Sequence, residues 1–135
     1  MITGLSHITF IVKDLEKAAL FFTTVFDAEE VYASGGETFS LAEERFFLVN
    51  GLWLCVMQGE APVERSYHHV AFQVREEDIE HYIARIKAVG AEIKPGRARV
   101  DGEGRSIYFY DFDNHLFELH AGTLPERLAR YALEM

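Results

Sequence analysis

The sequence predicts an α+β domain made of two tandem modules, each with the element order β-α-β-β-β. Two observations support this prediction. An alternating strand pattern followed by a helical pattern opens each half of the chain, and the two halves align so that His7 falls on His69. An internal repeat of this length indicates duplicated structural units. We place module 1 at about residues 1–60, module 2 at about 66–122 and a terminal helix at about 123–134.

The first half opens with a strand at Leu5–Val12, where alternation places His7 and Thr9 on one face. Asp14 is the predicted N-cap of the following helix, whose apolar residues recur at helical spacing. This helix is expected to end near Asp27-Ala28. Short strands are predicted next at Glu30–Ala33, Thr38–Leu41, Arg45–Val49 and Leu52–Met57.

The second half repeats this order after a polar linker at Gly59–Arg65. A strand is predicted at His68–Val74, and a helix follows from Ile79 to a C-cap at Gly90. Thr123 opens a capping box that leads into the terminal helix. Further strands are predicted at Ala91–Lys94, Ile107–Tyr110 and Leu116–His120.

Hairpin turns mark corresponding places in the two halves. Asn50-Gly51 is a strong two-residue turn signal, and Asp113-Asn114 matches it when one residue is inserted in the second half. The same insertion puts Phe46-Phe47 on Phe109-Tyr110. A pseudo-twofold arrangement of the halves would bring the first strands to equivalent places, and the last strands likewise.

Three residues are candidate metal ligands. Glu118 lies in mid-strand among apolar residues, where an unpaired carboxylate would be costly, and Cys55 occupies the matching position of the first half. His7 and His69 are equivalent in the repeat. Two imidazoles and one carboxylate leave open coordination positions, which favours a catalytic divalent metal, manganese or iron rather than closed zinc. His120 shares the face of Glu118 and is a candidate outer partner.

The composition limits the classes of partner. The 135 residues carry a formal net charge of −9, which argues against nucleic acid or an anionic membrane surface. One cysteine excludes an intramolecular disulfide framework. The sequence has neither a signal-peptide pattern nor an apolar run of about 20 residues. We therefore expect a soluble cytoplasmic protein. The net charge does not exclude a small anionic ligand, because local basic residues can override the overall field.

Several segments of the chain resemble a known family. They are Gly4–Thr9 (GLSHIT), Gly51–Cys55 (GLWLC), Tyr67–His69 (YHH), Gly102–Asp111 (GEGRSIYFYD) and Glu118. These segments closely resemble the fosfomycin-resistance members of the vicinal oxygen chelate superfamily, and in particular the FosX type, which is a hydrolase. The resemblance implies paired modules, a Mn²⁺ ion, and a homodimer whose exchanged modules give each metal site ligands from both chains.

The resemblance also implies a role for individual residues. It implies that His7, His69 and Glu118 hold the metal, and that Glu44 takes a proton from the water that opens the epoxide of fosfomycin. From the residue pattern alone, Glu44 would be a solvated loop charge. The resemblance also singles out Thr9, Ser106, Tyr108 and Arg127 as contacts to this phosphonate substrate. From the basic, glycine-containing loop before Ser106 we expect Arg99 as a further contact. Trp53 and Tyr67 are expected either to line the pocket or to serve as ordinary core aromatics.

Three functions remain open at this stage. The first is Mn²⁺-dependent hydrolysis of fosfomycin to a diol. The second is transfer of a thiol, such as glutathione, to the same epoxide. The third is sequestration of a drug without catalysis, which would not need the two histidines and the glutamate. Turnover in buffer without a thiol distinguishes the first function from the second.

Overall fold

Two four-stranded mixed sheets and three helices are found within residues 1–37, 39–96 and 101–133, which the computed structural model describes. They confirm the predicted α+β class and the paired modules. The strands are β1 (His7–Val12), β2 (Glu29–Ala33), β3 (Glu44–Val49), β4 (Leu52–Gln58), β5 (His69–Gln73), β6 (Glu92–Lys94), β7 (Ser106–Tyr110) and β8 (Leu116–His120). The helices are α1 (Leu15–Phe26), α2 (Ile79–Val89) and α3 (Leu124–Ala132).

The chain divides into two compact units, Met1–Arg65 with Phe112–His115, and Ser66–Asp111 with Leu116–Met135. The first unit contains the sheet β1-β4-β3-β2, and the second contains the sheet β5-β8-β7-β6. In each sheet the first and last strands of the module run parallel, and the other pairs are antiparallel.

In the first unit, α1 begins and ends where its caps require. The Asp14 side chain accepts a hydrogen bond from the Lys17 N–H at 3.1 Å, and Asp27 ends the helix with a φ of 56°. The helix packs aromatic rings on the sheet, since Phe22 and Phe47 stack with centroids 5.9 Å apart. The fully buried core of this unit includes Val12, Phe21, Phe22, Val25, Phe47, Leu54 and Val56.

The second unit is built on the same plan. Gly90 ends α2 with a φ of 81°, and Thr123 caps α3 by accepting from the Glu126 N–H at 3.3 Å. Both caps were predicted from the sequence. Phe109 and Phe117 stack across β7 and β8 with centroids 5.8 Å apart. The buried core of this unit includes Ile79, Ile86, Phe109, Phe117 and Leu119.

The tip of the β7–β8 hairpin belongs to the first unit, although both of its strands belong to the second. The Asp113 carboxylate accepts from the Lys13 N–H at 3.2 Å. Asn114 accepts from Arg65 Nε at 3.1 Å and donates to the Pro62 carbonyl at 2.8 Å. These contacts explain why a short turn carries several polar side chains with fixed partners.

Two details of the sequence prediction are wrong. The predicted strand Thr38–Leu41 does not form: residues 39–41 are bends, and Thr38 lies outside the described residues. Phe39 and Leu41 are 88% and 94% exposed, so their alternation has no core to cover. The predicted alignment of Phe46-Phe47 with Phe109-Tyr110 is also wrong by one residue. In the strand registers, Phe46 pairs with Cys55, and Tyr108 pairs with Glu118. The extra residue therefore lies in the second hairpin turn, and Phe46 corresponds to Tyr108.

No helix in the described part of the chain has the length and apolar character needed to cross a membrane.

Candidate active site

A histidine and a carboxylate meet on one face of the second sheet. Glu118 is only 5% exposed, and its Oε1 lies 3.0 Å from His69 Nε2. Its Oε2 accepts a hydrogen bond from Ser106 Oγ at 2.5 Å. The parallel pairing of β5 with β8 places Ala71 beside Glu118, and both residues line a cleft. Both oxygens of this buried carboxylate therefore have a polar neighbour, as its burial requires.

The His69–Glu118 contact fits a pair of metal ligands. The Tyr67 carbonyl lies 2.7 Å from His69 Nδ1 and can only accept, so the proton of the neutral ring is on Nδ1. Nε2 then points its lone pair at another acceptor, Glu118 Oε1, 3.0 Å away. Two ligands about 2.1 Å from one ion, and at right angles, lie about 3.0 Å apart. An imidazole and a carboxylate suit a divalent first-row metal.

The third predicted ligand, His7, begins β1 in the first unit. Its Nδ1 lies 2.9 Å from Ser6 Oγ, and its ring stacks on Trp53 with centroids 4.1 Å apart. The stacking follows from strand register, which pairs His7 with Trp53. Trp53 Nε1 is buried, and nothing in the described chain accepts a hydrogen bond from it. An imidazole whose Nδ1 is hydrogen-bonded offers Nε2 to a metal.

The three-ligand site itself stays a prediction. His7 belongs to the first unit, whereas His69 and Glu118 belong to the second. Among residues 1–37, 39–96 and 101–133, no group of three His, Cys, Asp or Glu side chains could hold a metal ion. Within the second unit, the structure brings together two of the three predicted ligands, His69 and Glu118.

Glu44 is buried at the start of β3 in the first unit and is 8% exposed. This differs from the solvated loop charge that the residue pattern alone suggests. Its backbone is held by Ser34, whose N–H donates to the Glu44 carbonyl at 3.0 Å. The Ser34 hydroxyl in turn accepts from the Glu44 N–H at 3.0 Å. The carboxylate is therefore attached to a backbone segment with a fixed position.

Cys55 is the neighbour of the Glu44 carboxylate, with Sγ 3.7 Å from Oε2. Burial, together with the negative charge of Glu44, raises the pKa of the Cys55 thiol from 9.0 to about 11. A hydrogen bond from Thr9, which lies opposite Cys55 in β1, acts in the opposite direction. At neutral pH the thiol keeps its proton and donates to Glu44.

A cleft of about 330 Å³ opens beside Glu118 in the second unit. Its volume suits a small molecule. Arg127 of α3 supplies positive charge, and Ala71 and Gly122 leave the space that larger residues would fill. The lining residues are His69, Ala71, Glu118, His120, Gly122, Thr123, Leu124 and Arg127.

Residues 4–119 match the model of the Glyoxalase/Bleomycin resistance protein/Dioxygenase superfamily. The chain belongs to this superfamily. A fosfomycin resistance protein FosX from Listeria innocua is 65% identical over 131 residues, which are 97% of this chain and 98% of that protein. The metallothiol transferase FosB from Shouchella clausii is 40% identical over 136 residues, 97% of this chain and 88% of that protein.

A crystal structure of a mutant FosX from Listeria monocytogenes shares 60% sequence identity and superposes with a TM-score of 0.89. The match covers 97% of this chain and 99% of that chain, which contains Mn(II) and 1S,2S-dihydroxypropylphosphonic acid. These relatives confirm that, within the superfamily, the chain is of the FosX type that its sequence motifs indicated.

In this chain, the residues predicted to contact the substrate are divided between the two units. Tyr67 Oη donates to Tyr108 Oη at 3.1 Å, and Lys94 Nζ lies 5.8 Å from the Tyr67 ring centroid. Arg99 lies outside the described residues. The second unit holds Tyr67, Ser106, Tyr108 and Arg127, and the first holds Thr9 and Trp53.

Sequence reasoning did not find three side-chain contacts of the candidate site. His120 joins Ser106 to Arg127, with Nδ1 2.6 Å from Ser106 Oγ and Nε2 3.2 Å from Arg127 Nη2. Its position two residues after Glu118 signalled a shared face but not these partners. The Cys55–Glu44 contact was also missed, because the two residues meet only when β3 pairs with β4.

Proposed function

We propose that this chain hydrolyses the epoxide ring of fosfomycin to a vicinal diol. The observation that carries the proposal is the 60% identical FosX structure that contains Mn(II) and 1S,2S-dihydroxypropylphosphonic acid. That ligand is the diol that forms when water adds across the epoxide of fosfomycin. The His69–Glu118 pair and the buried Glu44 give this chain the functional groups that the reaction needs.

His7, His69 and Glu118 would hold the Mn²⁺ ion. The bound ion would supply a Lewis acid to the epoxide oxygen, which stabilises the negative charge that develops as the ring opens. The Tyr67 carbonyl keeps the coordinating Nε2 of His69 free of a proton. Ser106 holds the second oxygen of Glu118, so that the carboxylate keeps its orientation.

Glu44 is the proposed general base. It takes a proton from a water molecule, and the water oxygen bonds to the carbon that bears the phosphonate. The bond between that carbon and the ring oxygen breaks, and the ring oxygen becomes the second hydroxyl of the diol after it gains a proton from solvent, to which Glu44 releases the proton that it took. The Cys55 thiol donates to Oε2 of Glu44, and Ser34 holds the Glu44 backbone. These contacts restrict the orientation of the proposed base.

The phosphonate requires donors and positive charge. Arg127 borders the cleft beside Glu118, and its planar guanidinium suits two oxygens of one phosphonate. Tyr108 adds a hydroxyl group, and Ser106, whose one hydroxyl hydrogen goes to Glu118, is proposed to line the substrate pocket. Thr9 and Trp53 complete the proposal from the first unit, where the Trp53 N–H is a buried donor. Tyr67 and Arg99 are proposed as further contacts.

A homodimer with shared metal sites is the proposed assembly. It follows from the resemblance to the fosfomycin-resistance family, and it is compatible with His7 lying in one unit and His69 and Glu118 in the other. A second copy could then supply His7 to the His69–Glu118 pair. A cytoplasmic location, consistent with the single cysteine, is also part of the proposal.

Complementation between variants tests this assembly. His7→Ala and Glu118→Gln are each expected to inactivate the protein. If the sites are shared, random mixing of the two variants forms dimers with one intact site and restores about a quarter of wild-type turnover. No recovery after unfolding and refolding the mixture would contradict shared sites, and refolded wild type serves as the control.

Thiol transfer is the second candidate function, favoured by the 40% identity to a FosB metallothiol transferase. Phosphorus NMR of Mn²⁺-loaded protein with fosfomycin separates the two functions. We expect complete conversion to the diol without a thiol. Conversion that requires added glutathione, cysteine or another thiol would overturn the proposal, and binding without turnover would indicate sequestration.

A further inference from the structure

A continuous chain of hydrogen bonds runs from Arg127 to Glu118 in the second unit. Arg127 Nη2 lies 3.2 Å from His120 Nε2, His120 Nδ1 lies 2.6 Å from Ser106 Oγ, and Ser106 Oγ lies 2.5 Å from Glu118 Oε2. Strand pairing explains these contacts, because β7 and β8 place Ser106 directly opposite His120. His120 also follows Glu118 by two positions and therefore shares its face.

The hydrogen bonds between Arg127 and Glu118 can have only one donor-to-acceptor direction. A guanidinium has N–H donors and no acceptor, so Nε2 of His120 must accept from Arg127. The proton of the neutral imidazole is then on Nδ1, which also lies 3.4 Å from the Glu118 carboxylate. Because Nδ1–H donates to Ser106 Oγ, the hydroxyl hydrogen of Ser106 donates to Glu118.

We propose that His120 is a positioning residue whose tautomer, set by Arg127, holds the Ser106 hydroxyl as a donor to Glu118. The inference rests on the proposed function, since Glu118 is a proposed metal ligand and Arg127 a proposed phosphonate contact. Loss of an outer hydrogen bond to a ligand lowers metal affinity about 10- to 100-fold. In this proposal His120 acts through these two residues, because its ring nitrogens contact Ser106 and Arg127.

The two ring nitrogens of His120 have separate tasks. Without the Nδ1–H donor, nothing fixes the rotation of the Ser106 hydroxyl, so its hydrogen is no longer held towards Glu118 Oε2. Without the Nε2 acceptor, the Arg127 guanidinium loses the contact that holds it at the cleft. A purely structural role for the ring would not separate these consequences.

Two conservative variants separate the tasks. In His120→Asn, the side-chain amide can donate from near the Nδ1 position but cannot reach Arg127. In His120→Gln, the longer amide can accept near the Nε2 position but leaves the Nδ1 position empty. Mn²⁺ affinity is measured by electron paramagnetic resonance of the free ion, without fosfomycin. Fosfomycin turnover then gives kcat and KM, and thermal unfolding checks that each variant is folded.

The expected results are opposite for the two variants. His120→Gln should weaken Mn²⁺ binding about 10-fold or more, while His120→Asn stays near wild type. His120→Asn should instead raise KM for fosfomycin several-fold, while His120→Gln changes KM less at saturating Mn²⁺. Equal losses in both variants, or no change in Mn²⁺ affinity in either, would overturn the proposal. The Mn²⁺ comparison is valid even if the chain does not hydrolyse fosfomycin.

A measurement on the wild-type protein does not depend on the folding of variants. Nitrogen NMR of histidine-labelled protein, loaded with diamagnetic Mg²⁺, reports which ring nitrogen of each histidine carries the proton. At about pH 8.5, above the ordinary histidine pKa, we expect His120 with its proton on Nδ1. A proton on Nε2 would contradict the proposed direction of the hydrogen-bond chain.

Discussion

The two sheets have equivalent backbones but carry their carboxylates on different strands. In the first sheet, Glu44 lies on β3 and a thiol, Cys55, lies on β4. In the second sheet, the equivalent of Glu44 is the hydroxyl residue Ser106, and the equivalent of Cys55 is Glu118. Each carboxylate therefore faces a small donor on the adjacent strand, at 3.7 Å and 2.5 Å respectively.

The different strand positions of Glu44 and Glu118 illustrate how one duplicated scaffold can place carboxylates in two different surroundings. Glu118 is beside a histidine whose lone pair faces it, an arrangement that suits metal coordination. Glu44 instead has a protonated thiol beside it, and we assign it proton transfer. If the two carboxylates have these different roles, substituting each should affect Mn²⁺ binding and turnover differently.

Glu118→Gln should abolish Mn²⁺ binding and turnover together. The amide keeps the shape of the side chain but removes the charged ligand, so Mn²⁺ affinity should fall by more than about 100-fold, beyond the loss of an outer partner. Titration of free Mn²⁺ and phosphorus NMR measure the two effects. Glu60→Gln, an exposed site in the first unit, is the control. Retained Mn²⁺ affinity would show that Glu118 is not a ligand.

Glu44→Gln should separate turnover from metal binding. Loss of a general base should lower kcat about 10²- to 10⁴-fold, while Mn²⁺ affinity stays at the wild-type value. The adjacent Glu43→Gln is the matched control, because the same charge is lost one position away. A parallel loss of Mn²⁺ affinity would make Glu44 a second ligand and remove the contrast between the sheets.

The Cys55 thiol should make stability depend on pH. The pKa is about 11 in the folded chain and 9.0 ordinarily, so the unfolded chain loses this proton first. The free energy of unfolding should therefore be unaffected well below pH 9 and should fall as pH rises from 9 to 11, by about 2–3 kcal/mol. Urea unfolding of wild type against Cys55→Ala isolates this contribution. Identical pH profiles for both proteins would contradict the burial of a protonated thiol beside Glu44.

Alanine substitution of equivalent glycines should destabilise the second unit more than the first. A Cβ at Gly122 would meet the Glu103 carbonyl and lie 2.7 Å from His120 Nε2, whereas one at Gly59 would meet only the Ile11 methyl at 3.0 Å. Gly122→Ala should cost about 1–3 kcal/mol, and Gly59→Ala less. Thermal unfolding measures both. A larger cost at Gly59 would show that these close contacts do not control stability.

Local signals in the sequence predict most of the fold. Asp14, Gly90 and Thr123 act through their own helix ends, so the helix limits follow from neighbouring residues. Asn50 and Gly51 adopt φ values of 47° and 83°, as their turn signal requires. The strand predicted at Thr38–Leu41 does not form, although its alternating pattern is also a local signal. Alternation predicts a strand only where one face has a core to cover.

The candidate site is less predictable, because its contacts depend on strand pairing. The repeat and the family motifs identified His69 and Glu118, but the Tyr67 carbonyl that orients His69 is a backbone group and leaves no side-chain signal. The burial of Glu44 was missed because the residue pattern around it resembles a charged loop. Only the register of β3 with β4 brings its carboxylate to Cys55.

The central claim is that water opens the epoxide of fosfomycin in this protein. Turnover in ¹⁸O-labelled water by Mn²⁺-loaded protein, without a thiol, tests it most directly. We expect diol that carries one ¹⁸O atom, bonded to the carbon next to phosphorus, as read by mass spectrometry and phosphorus NMR. Diol without the label, or no diol in the absence of a thiol, would contradict the account.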